Sequence, residues 1–386
     1  MIQISLTTIN RLLVVRGISI FLAFVVLTGC PSRSTPQQPN PAPKPNIQEG
    51  LPDDLIESME RRRAAILSST QGWSAPQIQS VILVPRLWNP GDKITVAFKG
   101  GSTDARAKIA DAARVWEKAA NVHFDFGPSP ASGGYREWSE SDSDYRAQVR
   151  VSFDSDGSGR RGGYWSAIGQ ESIDRSLRRP NKASMNFEGF DHDLPADWES
   201  IVVHEFGHVL GFEHEHQGPL STCEQEYRWD DDSPYLPTND PNSGAFITDA
   251  QGRHPGIYRV MGGPPNYWPN DRIDFNLKKF PYSGDLDSSR FDKASIMKYH
   301  FAEWMYKDLA VSTRSGCYSS KNTDLSEEDK KTALARYPFQ ANEAKGVLDA
   351  RLALVQKLLG QKNISPEIKN IFKATKDSVR KSRSQY

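Results

Sequence analysis

The sequence predicts an α+β fold with two subdomains and a C-terminal helical extension. Short strand patterns of alternating apolar residues, with one amphipathic helix among them, lie in the first half of the chain. One further helix, at residues 196–210, has an apolar face and a face rich in histidine. The following segment, 216–294, is rich in Asp, Pro, Gly and aromatic residues and has no clear period. We expect the strands and helices of the first half to form one subdomain and this irregular segment to form another.

The predicted elements of the first half follow one another in a regular order. Lys93 to Phe98 alternates as a strand, and Thr103 and Asp104 begin a helix. Asp193 and Pro195 are typical helix-start residues, which places the next helix at about 196–210. Between these two helices, three more strands are predicted, at residues 122–126, 148–153 and 183–187.

The helix at 196–210 carries the most informative pattern in the chain. His204 and His208 are four residues apart, so they lie one turn apart on the same face and can bind a single ion. Glu205 lies beside them. The opposite face packs into the core through the apolar residues Val202, Phe206 and Val209.

Gly211 predicts the end of this helix, because glycine adopts the left-handed conformation without steric strain. The turn that follows brings His214 back as a third ligand. Three protein ligands leave a position open for water, which is typical of catalytic zinc sites. The sequence therefore predicts one catalytic zinc ion held by His204, His208 and His214.

The stretch HEFGHVLGFEHE at residues 204–215 resembles the metzincin metallopeptidase motif, and the astacin family in particular. A second motif of that family, the Met-turn, is matched by Ser295 to Tyr299. The resemblance implies that Met297 is the apolar floor of the zinc site. It implies that Tyr299 is a further ligand that can move away and stabilise the oxyanion. Lys298 stands where many astacins have His.

The resemblance also implies a twisted mixed sheet and helices above a cleft, with an irregular lower subdomain that contains the Met-turn beneath it. It further implies an activity and a way of holding substrate. It implies a zinc endopeptidase in which Glu205 is the general base and a protein or peptide is the substrate. The last strand before the zinc helix, here 183–187, is the edge strand that pairs with extended substrate in the family. In astacins the residue equivalent to Glu215 is reached by the mature N-terminus. The predicted N-terminus here lies far upstream, so we expect Glu215 to have a different partner unless the chain is processed further.

The first 46 residues differ in composition from the rest. Arg11 and Arg16 precede a short apolar run, and LTGC at 27–30 resembles a bacterial lipobox. The segment 1–29 is therefore predicted to be a lipoprotein signal peptide, and Cys30 a lipid anchor to the cell envelope. The alternatives are an uncleaved anchor and an ordinary signal in which the cysteine is accidental. Pro31 in place of Asp favours the outer membrane where a cell has two.

Residues 30–46 form a tether rich in proline, with six prolines between Pro31 and Pro45. Residues 47–80 read as a helical segment, which is either an inhibitory pro-segment or a helix that packs on the body. The metallopeptidase domain is predicted at 81–340. Residues 341–386 should add two amphipathic helices, at 342–360 and 365–382.

The remaining signals concern disulfides and calcium. With Cys30 lipidated, Cys223 and Cys317 are the only thiols left to pair in an exported protein, which predicts a disulfide around the Met-turn. The DSDGSG run at 154–159 resembles the start of a calcium loop, but its twelfth position is Trp165 rather than Glu. A polar turn is therefore preferred over a calcium site.

Composition limits the classes of partner. The 48 basic residues balance the 48 acidic residues among 386, so no nucleic acid is expected, and we predict a monomer. Two other functional classes remain open. One is a tethered binding or adhesion module that keeps a zinc fold without turnover, and the other is a zinc hydrolase acting on cell-wall peptides.

Overall fold

A five-stranded mixed sheet forms the centre of the upper subdomain. The computed structural model describes residues 50–128, 134–154, 163–279, 291–307, 314–362 and 364–386. The sheet has the order β2-β1-β3-β5-β4, in which only β4 runs antiparallel to its neighbour. The α+β class is confirmed. The strands are β1 Lys93–Phe98, β2 His123–Asp125, β3 Val149–Ser152, β4 Tyr164–Ser166 and β5 Met185–Phe187.

The edge of this sheet differs from the prediction. The strand expected at the edge, 183–187, is β5, and it lies between β3 and β4. The edge strand is β4, which the sequence reading did not identify. Strands β2 and β5 also have three residues, but they lie within longer predicted runs, whereas Tyr-Trp-Ser directly follows a polar, glycine-rich stretch and shows no alternation. The prediction that 183–187 forms the edge is therefore wrong, and the edge strand on this side of the sheet is β4.

Within the described residues, ten α-helices surround the sheet and the cleft. They are α1 Asp53–Ser69, α2 Ala75–Leu83, α3 Thr103–Ala113, α4 Trp198–Val209, α5 Cys223–Glu226, α6 Ile257–Gly262, α7 Asn270–Leu277, α8 Glu327–Arg336, α9 Ala341–Leu359 and α10 Pro366–Arg383. Helix α4 begins two residues after the predicted start and carries the histidine motif. Helix α9 begins and ends one residue before its prediction, and α10 begins and ends one residue after its own.

The main core lies between the sheet and helices α3 and α4. Two buried indole side chains donate hydrogen bonds to backbone carbonyls of α4 and so hold the helix in place. Trp116 Nε1 donates to the carbonyl of Val203 at 2.8 Å, and Trp88 Nε1 donates to that of Val209 at 2.7 Å. Val209 is among the last four residues of the helix, whose carbonyls have no donor within it, whereas Val203 lies in the helix interior and accepts the indole N–H as an additional bond. The two indoles therefore hold the histidine helix at both ends of its motif.

Helices α1 and α2 pack with the two C-terminal helices, α9 and α10, in a separate apolar cluster. Residues of α1 and α2 meet residues of α9 and α10, including Ile66, Val81, Val355 and Phe372. The domain boundary drawn from the sequence at residue 81 falls inside α2, which runs from Ala75 to Leu83. The C-terminal extension therefore covers the N-terminal helices rather than standing apart from them.

The lower wall contains the short helices α5, α6 and α7 around an aromatic core. The predicted disulfide between Cys223 and Cys317 is formed within it, with Cα atoms 4.9 Å apart. Helix α8 returns the chain to the upper subdomain, where the Tyr337 hydroxyl donates to the carbonyl of Leu210 at 2.8 Å. The two walls are therefore tied to each other on the C-terminal side of the histidine helix.

Several predictions fall outside the described residues. They are the signal peptide, the anchor at Cys30, the tether at 30–46 and most of the DSDGSG run. Asp154, the first residue of that run, is described, and its carboxylate forms an ion pair with Lys99 at 2.5 Å. In the described part of the chain, no helix combines the length and apolar character needed to cross a membrane.

Candidate metal centre

Three histidines converge at the end of α4. His204 and His208 lie on the same face of the helix, and Gly211 turns the chain with a φ of +86°. The turn places His214 opposite the other two, with ring centroids 4.7 Å from His208 and 5.4 Å from His204. One nitrogen from each ring lies within 4.8 Å of the others. The structure thus brings together all three residues predicted as ligands.

The outer nitrogen of each ring faces an atom that can only accept a hydrogen bond. His204 Nδ1 lies 2.7 Å from the carbonyl oxygen of Ile296, and His208 Nδ1 lies 2.8 Å from that of Phe212. His214 Nδ1 lies 3.0 Å from Gln217 Oε1. Each Nδ1 must therefore carry the proton, which leaves an acceptor lone pair on each Nε2.

This arrangement fits a bound cation. The Nε2 atoms of His208 and His214 are 3.1 Å apart, so two lone pairs face each other at close range. A metal ion bound between the two nitrogens would accept both lone pairs, so two metal–nitrogen bonds would replace the repulsion. Zinc–nitrogen bonds of about 2.0–2.1 Å in tetrahedral geometry place ligand nitrogens about 3.3 Å apart. The donor set and its spacing therefore fit zinc.

Gln217 is a partner that the sequence reading missed. Its side-chain amide donates to the carbonyls of Phe275 at 2.6 Å and Lys278 at 3.0 Å. These two bonds direct the amide oxygen toward His214 and so set the orientation of the imidazole. The only signal in the sequence was its position three residues after His214, within reach of a single tight turn.

The Met-turn lies directly against α4. A Cβ atom on Gly207 would lie 2.3 Å from Met297 Sδ, so the absence of a side chain permits this contact. The backbone N–H of Glu215 donates to the carbonyl of Met297 at 3.0 Å. The predicted position of Met297 next to the histidine helix is what the structure shows.

Asp329 on α8 is the second residue that the sequence reading missed. Its carboxylate accepts the Ser295 hydroxyl at 2.6 Å and the backbone N–H groups of Ile296 and Ser326 at 2.9 Å. The carbonyl of Ile296 in turn faces His204 Nδ1 at 2.7 Å. Asp329 thus positions a ligand through the backbone of one residue, Ile296. The signal in the sequence that could have identified Asp329 is the Ser-x-x-Asp capping pattern, Ser326 to Asp329, at the start of α8.

Tyr299 and Glu205 both lie at the site. The Tyr299 ring is 4.5 Å from the His214 ring and 6.2 Å from the His204 ring, centroid to centroid. Its backbone N–H donates to His216 Nδ1 at 3.5 Å, and His216 Nε2 lies 2.9 Å from the carbonyl of Asn276. Glu205 follows His204 on α4 and is only 1% exposed. The Tyr299 ring therefore packs against the imidazole of His214, and a buried carboxylate lies on the helix that carries His204 and His208.

Glu215 has the different partner that was expected. Its Oε1 accepts the backbone N–H of Asp292 at 2.7 Å, which ties the third-ligand turn to the segment before the Met-turn. Burial raises the pKa of Glu215 to about 7. The hydrogen bond from the backbone N–H of Asp292 lowers this pKa, and the nearby negative charges of Asp292 and Asp329 raise it further.

A buried ion-pair cluster lies behind the third ligand. Arg86 bridges Glu171 at 2.8 Å and Glu213 at 2.6 Å, and Glu213 directly precedes His214. Burial alone would raise the pKa of Glu213, but the positive charges of Arg86 and Arg63 outweigh it and hold that pKa below its usual range. The cluster fixes the backbone from which His214 projects.

The other four histidines, His123, His192, His254 and His300, take no part in the described metal group. His300 instead lies with Nδ1 3.0 Å from the carbonyl of Ser319.

Comparison with known proteins gives matches among solved structures only. No protein-family model and no curated protein matches the chain. The chain is similar to structures of myroilysin. One shares 27% identity across 67% of this chain and 98% of that chain, with a TM-score of 0.46. A second shares 25% identity across 66% and 86%, with a TM-score of 0.40.

A further match is high choriolytic enzyme 1, described as a hatching enzyme zinc-protease from the medaka fish Oryzias latipes. It is 16% identical across 64% of this chain and 92% of that chain, with a TM-score of 0.33. The functional assignment of this chain is therefore carried by the residues of its own site.

Proposed function

We propose that the chain is an astacin-like zinc metalloendopeptidase. The observation that carries this proposal is the set of three imidazoles with each Nδ1 facing an acceptor and the inner nitrogens converging, beside a buried glutamate. A structural zinc site does not require a flanking carboxylate, whereas hydrolysis requires a general base.

His204, His208 and His214 would hold the zinc ion. When bound there, zinc lowers the pKa of a water molecule and polarises the scissile carbonyl. Glu205 accepts the proton from the attacking water and passes it to the leaving amine. Its burial limits competing solvent and keeps the carboxylate close to the reacting groups.

Tyr299 would stabilise the negative charge that develops on the carbonyl oxygen, because a phenol can donate a hydrogen bond to it. The packing of its ring between His214 and His216 restricts the side chain to the neighbourhood of the site. The substrate would lie extended along β4, the edge strand, whose outer backbone groups can pair with a peptide.

The test is cleavage of a denatured protein by the full chain loaded with zinc, beside Glu205→Ala. We expect the parent to cut and the variant to bind zinc equally well without cutting. Intact peptidoglycan peptides belong in the same panel, because cutting of those alone would support the cell-wall alternative. A folded, zinc-loaded parent that cuts nothing in the panel would favour the binding-module alternative.

We also propose that Cys30 anchors the peptidase to a bacterial envelope membrane. The LTGC sequence after a short apolar run supports this. Cys30→Ser should move the protein from the membrane fraction to the soluble fraction and abolish labelling by a radioactive fatty acid. Unchanged labelling would contradict the assignment.

A further inference from the structure

The segment before α1 lies against the edge of the sheet. The backbone N–H of Gly50 donates to the carbonyl of Tyr164 on β4 at 3.1 Å. Because β4 is the edge strand, this carbonyl is one of the groups with which an incoming extended peptide would pair. The chain thus uses its own backbone at the position where a substrate is expected.

The other side of Gly50 is held by the lower wall. Arg272 Nη2 on α7 donates to the carbonyl of Gly50 at 3.0 Å. The guanidinium of Arg272 in turn lies 5.3 Å from the ring centroid of Trp268. One residue therefore has both backbone groups bound, one by the sheet above the cleft and one by the wall below it.

Trp268 leaves no room for a side chain at this position. A Cβ atom on Gly50 would lie 2.3 Å from Cζ2 and 2.9 Å from Cε2 of the indole. The indole cannot easily move, because it is 4% exposed, packs in the lower core, and has its backbone N–H bound to the carbonyl of Met261 at 2.9 Å. The position accepts glycine and excludes larger residues.

The next residue fills an apolar pocket beside the metal centre. Leu51 is 7% exposed and packs in a cluster with Trp165 and Ile168 of the edge-strand region. Leu51 also lines a cavity whose wall includes His208 and His214. The two residues Gly50 and Leu51 thus occupy backbone and side-chain positions next to the predicted ligands.

We infer that Gly50 and Leu51 are a built-in pseudosubstrate, and that Trp268 makes the subsite at the edge strand selective for glycine. The inference rests on the proposed function, which makes β4 a substrate-binding strand. It narrows the substrate class to extended peptides in which glycine precedes an apolar residue. Trp268 is then a specificity-determining residue, and Arg272 binds the substrate carbonyl.

Helix α1 keeps the pseudosubstrate close to its subsite. Arg178 binds Asp54 at 2.9 Å, and Arg62 binds Asp174 at 2.6 Å. A segment tethered in this way competes at a high effective concentration with any free peptide. The unmodified chain should therefore still bind and cut free substrate, but it should bind a free peptide more weakly than a chain from which the segment has been displaced.

The test measures binding without turnover, in the full chain carrying Glu205→Ala. The probes are a fluorescent peptide IQEGLPDDLI, copied from residues 47–56, and its analogue with Ala in place of Gly. Gly50→Ala should expel the tethered segment and tighten binding of the glycine peptide by about tenfold or more. The alanine peptide should bind about tenfold more weakly than the glycine peptide, the loss expected of a small overpacking.

A second substitution tests the wall itself. Trp268→Phe removes the part of the ring nearest to Gly50 but keeps an aromatic face under Arg272. In this variant, with or without Gly50→Ala, the preference for the glycine peptide should fall below about threefold. Gly346→Ala is the matched control, because nothing lies within 4 Å of a Cβ atom there, and it should change neither affinity.

Two results would overturn the inference. One is equal affinity of both peptides for the Gly50→Ala chain. The other is an unchanged affinity of the glycine peptide when Gly50 is replaced. Both are read from binding, so they are independent of whether the chain with intact Glu205 cuts protein. If the chain prefers the glycine peptide but cuts nothing, the glycine-selective subsite is supported and the peptidase assignment is contradicted.

Discussion

The carboxylate of Asp329 accepts the backbone N–H of Ile296 at 2.9 Å, and the carbonyl of that same residue faces His204 at 2.7 Å. Both backbone groups of Ile296 therefore have a partner, the N–H in Asp329 and the carbonyl in His204. A helix that begins thirty residues downstream thus sets the orientation of the first predicted ligand.

We predict that Asp329→Ala weakens zinc binding by about 10- to 100-fold, the range typical for partners that orient metal ligands. Competition with a chromophoric chelator measures this directly. Asp324→Ala is the control, because that acidic residue lies exposed in the same segment. Equal affinities for the two variants would show that the Ile296 peptide stays in place without Asp329.

Replacing Gln217 by Leu should also weaken zinc binding, by about tenfold, because His214 Nδ1 loses its acceptor. Gln217→Glu keeps an acceptor oxygen but loses the two bonds that the amide donates, so its affinity should fall between those of the parent and the leucine variant. An affinity of the leucine variant equal to that of the parent would contradict the orienting role.

Gly207→Ala should destabilise the fold by about 1–3 kcal/mol, because the added methyl group would lie 2.3 Å from Met297 Sδ and 3.0 Å from Trp116. Urea unfolding measures the change. The matched control is Gly346→Ala in α9, where the added atom meets nothing within 4 Å. That substitution should stabilise the protein by about 0.5–1 kcal/mol, the usual difference between Ala and Gly inside a helix.

Glu213→Gln should cost about 3 kcal/mol of unfolding free energy, because it leaves Arg86 buried with one carboxylate in place of two. Glu327→Gln, in an exposed pair with Lys330, should change the same quantity by less than about 1 kcal/mol. Similar losses for both variants would mean that the buried cluster contributes no more than a surface pair.

Reduction of the Cys223–Cys317 disulfide should lower the unfolding free energy by about 3–5 kcal/mol, because the bond closes a loop of 94 residues. The double variant Cys223→Ser/Cys317→Ser should reproduce the effect in the absence of reductant. Cys30→Ser should leave it unchanged, since Cys30 is the remaining cysteine of the chain. Insensitivity of the parent to reductant would contradict the prediction.

The predicted elements that agree best with the structure are those with a long local pattern. The strand Lys93–Phe98 has its predicted bounds, and helices α9 and α10 each begin within one residue of their own predicted starts. Six alternating residues, or five helical turns, carry enough repeated contrast between apolar and polar positions to define both type and length. Strand β4 has three residues and no such contrast, which is why it was missed.

The same division holds at the metal centre. The spacing of His204 and His208 on one helix and the turn at Gly211 are properties of neighbouring residues, so the ligand set could be read directly from the chain. The acceptors Ile296 and Gln217, the carboxylate of Asp329 and the wall formed by Trp268 depend on which distant segments meet. No local period encodes that choice, because it results from the packing of two walls around one cleft. Local backbone geometry therefore determined what could bind the metal, and long-range packing alone decided how the ligands are oriented and what the cleft admits.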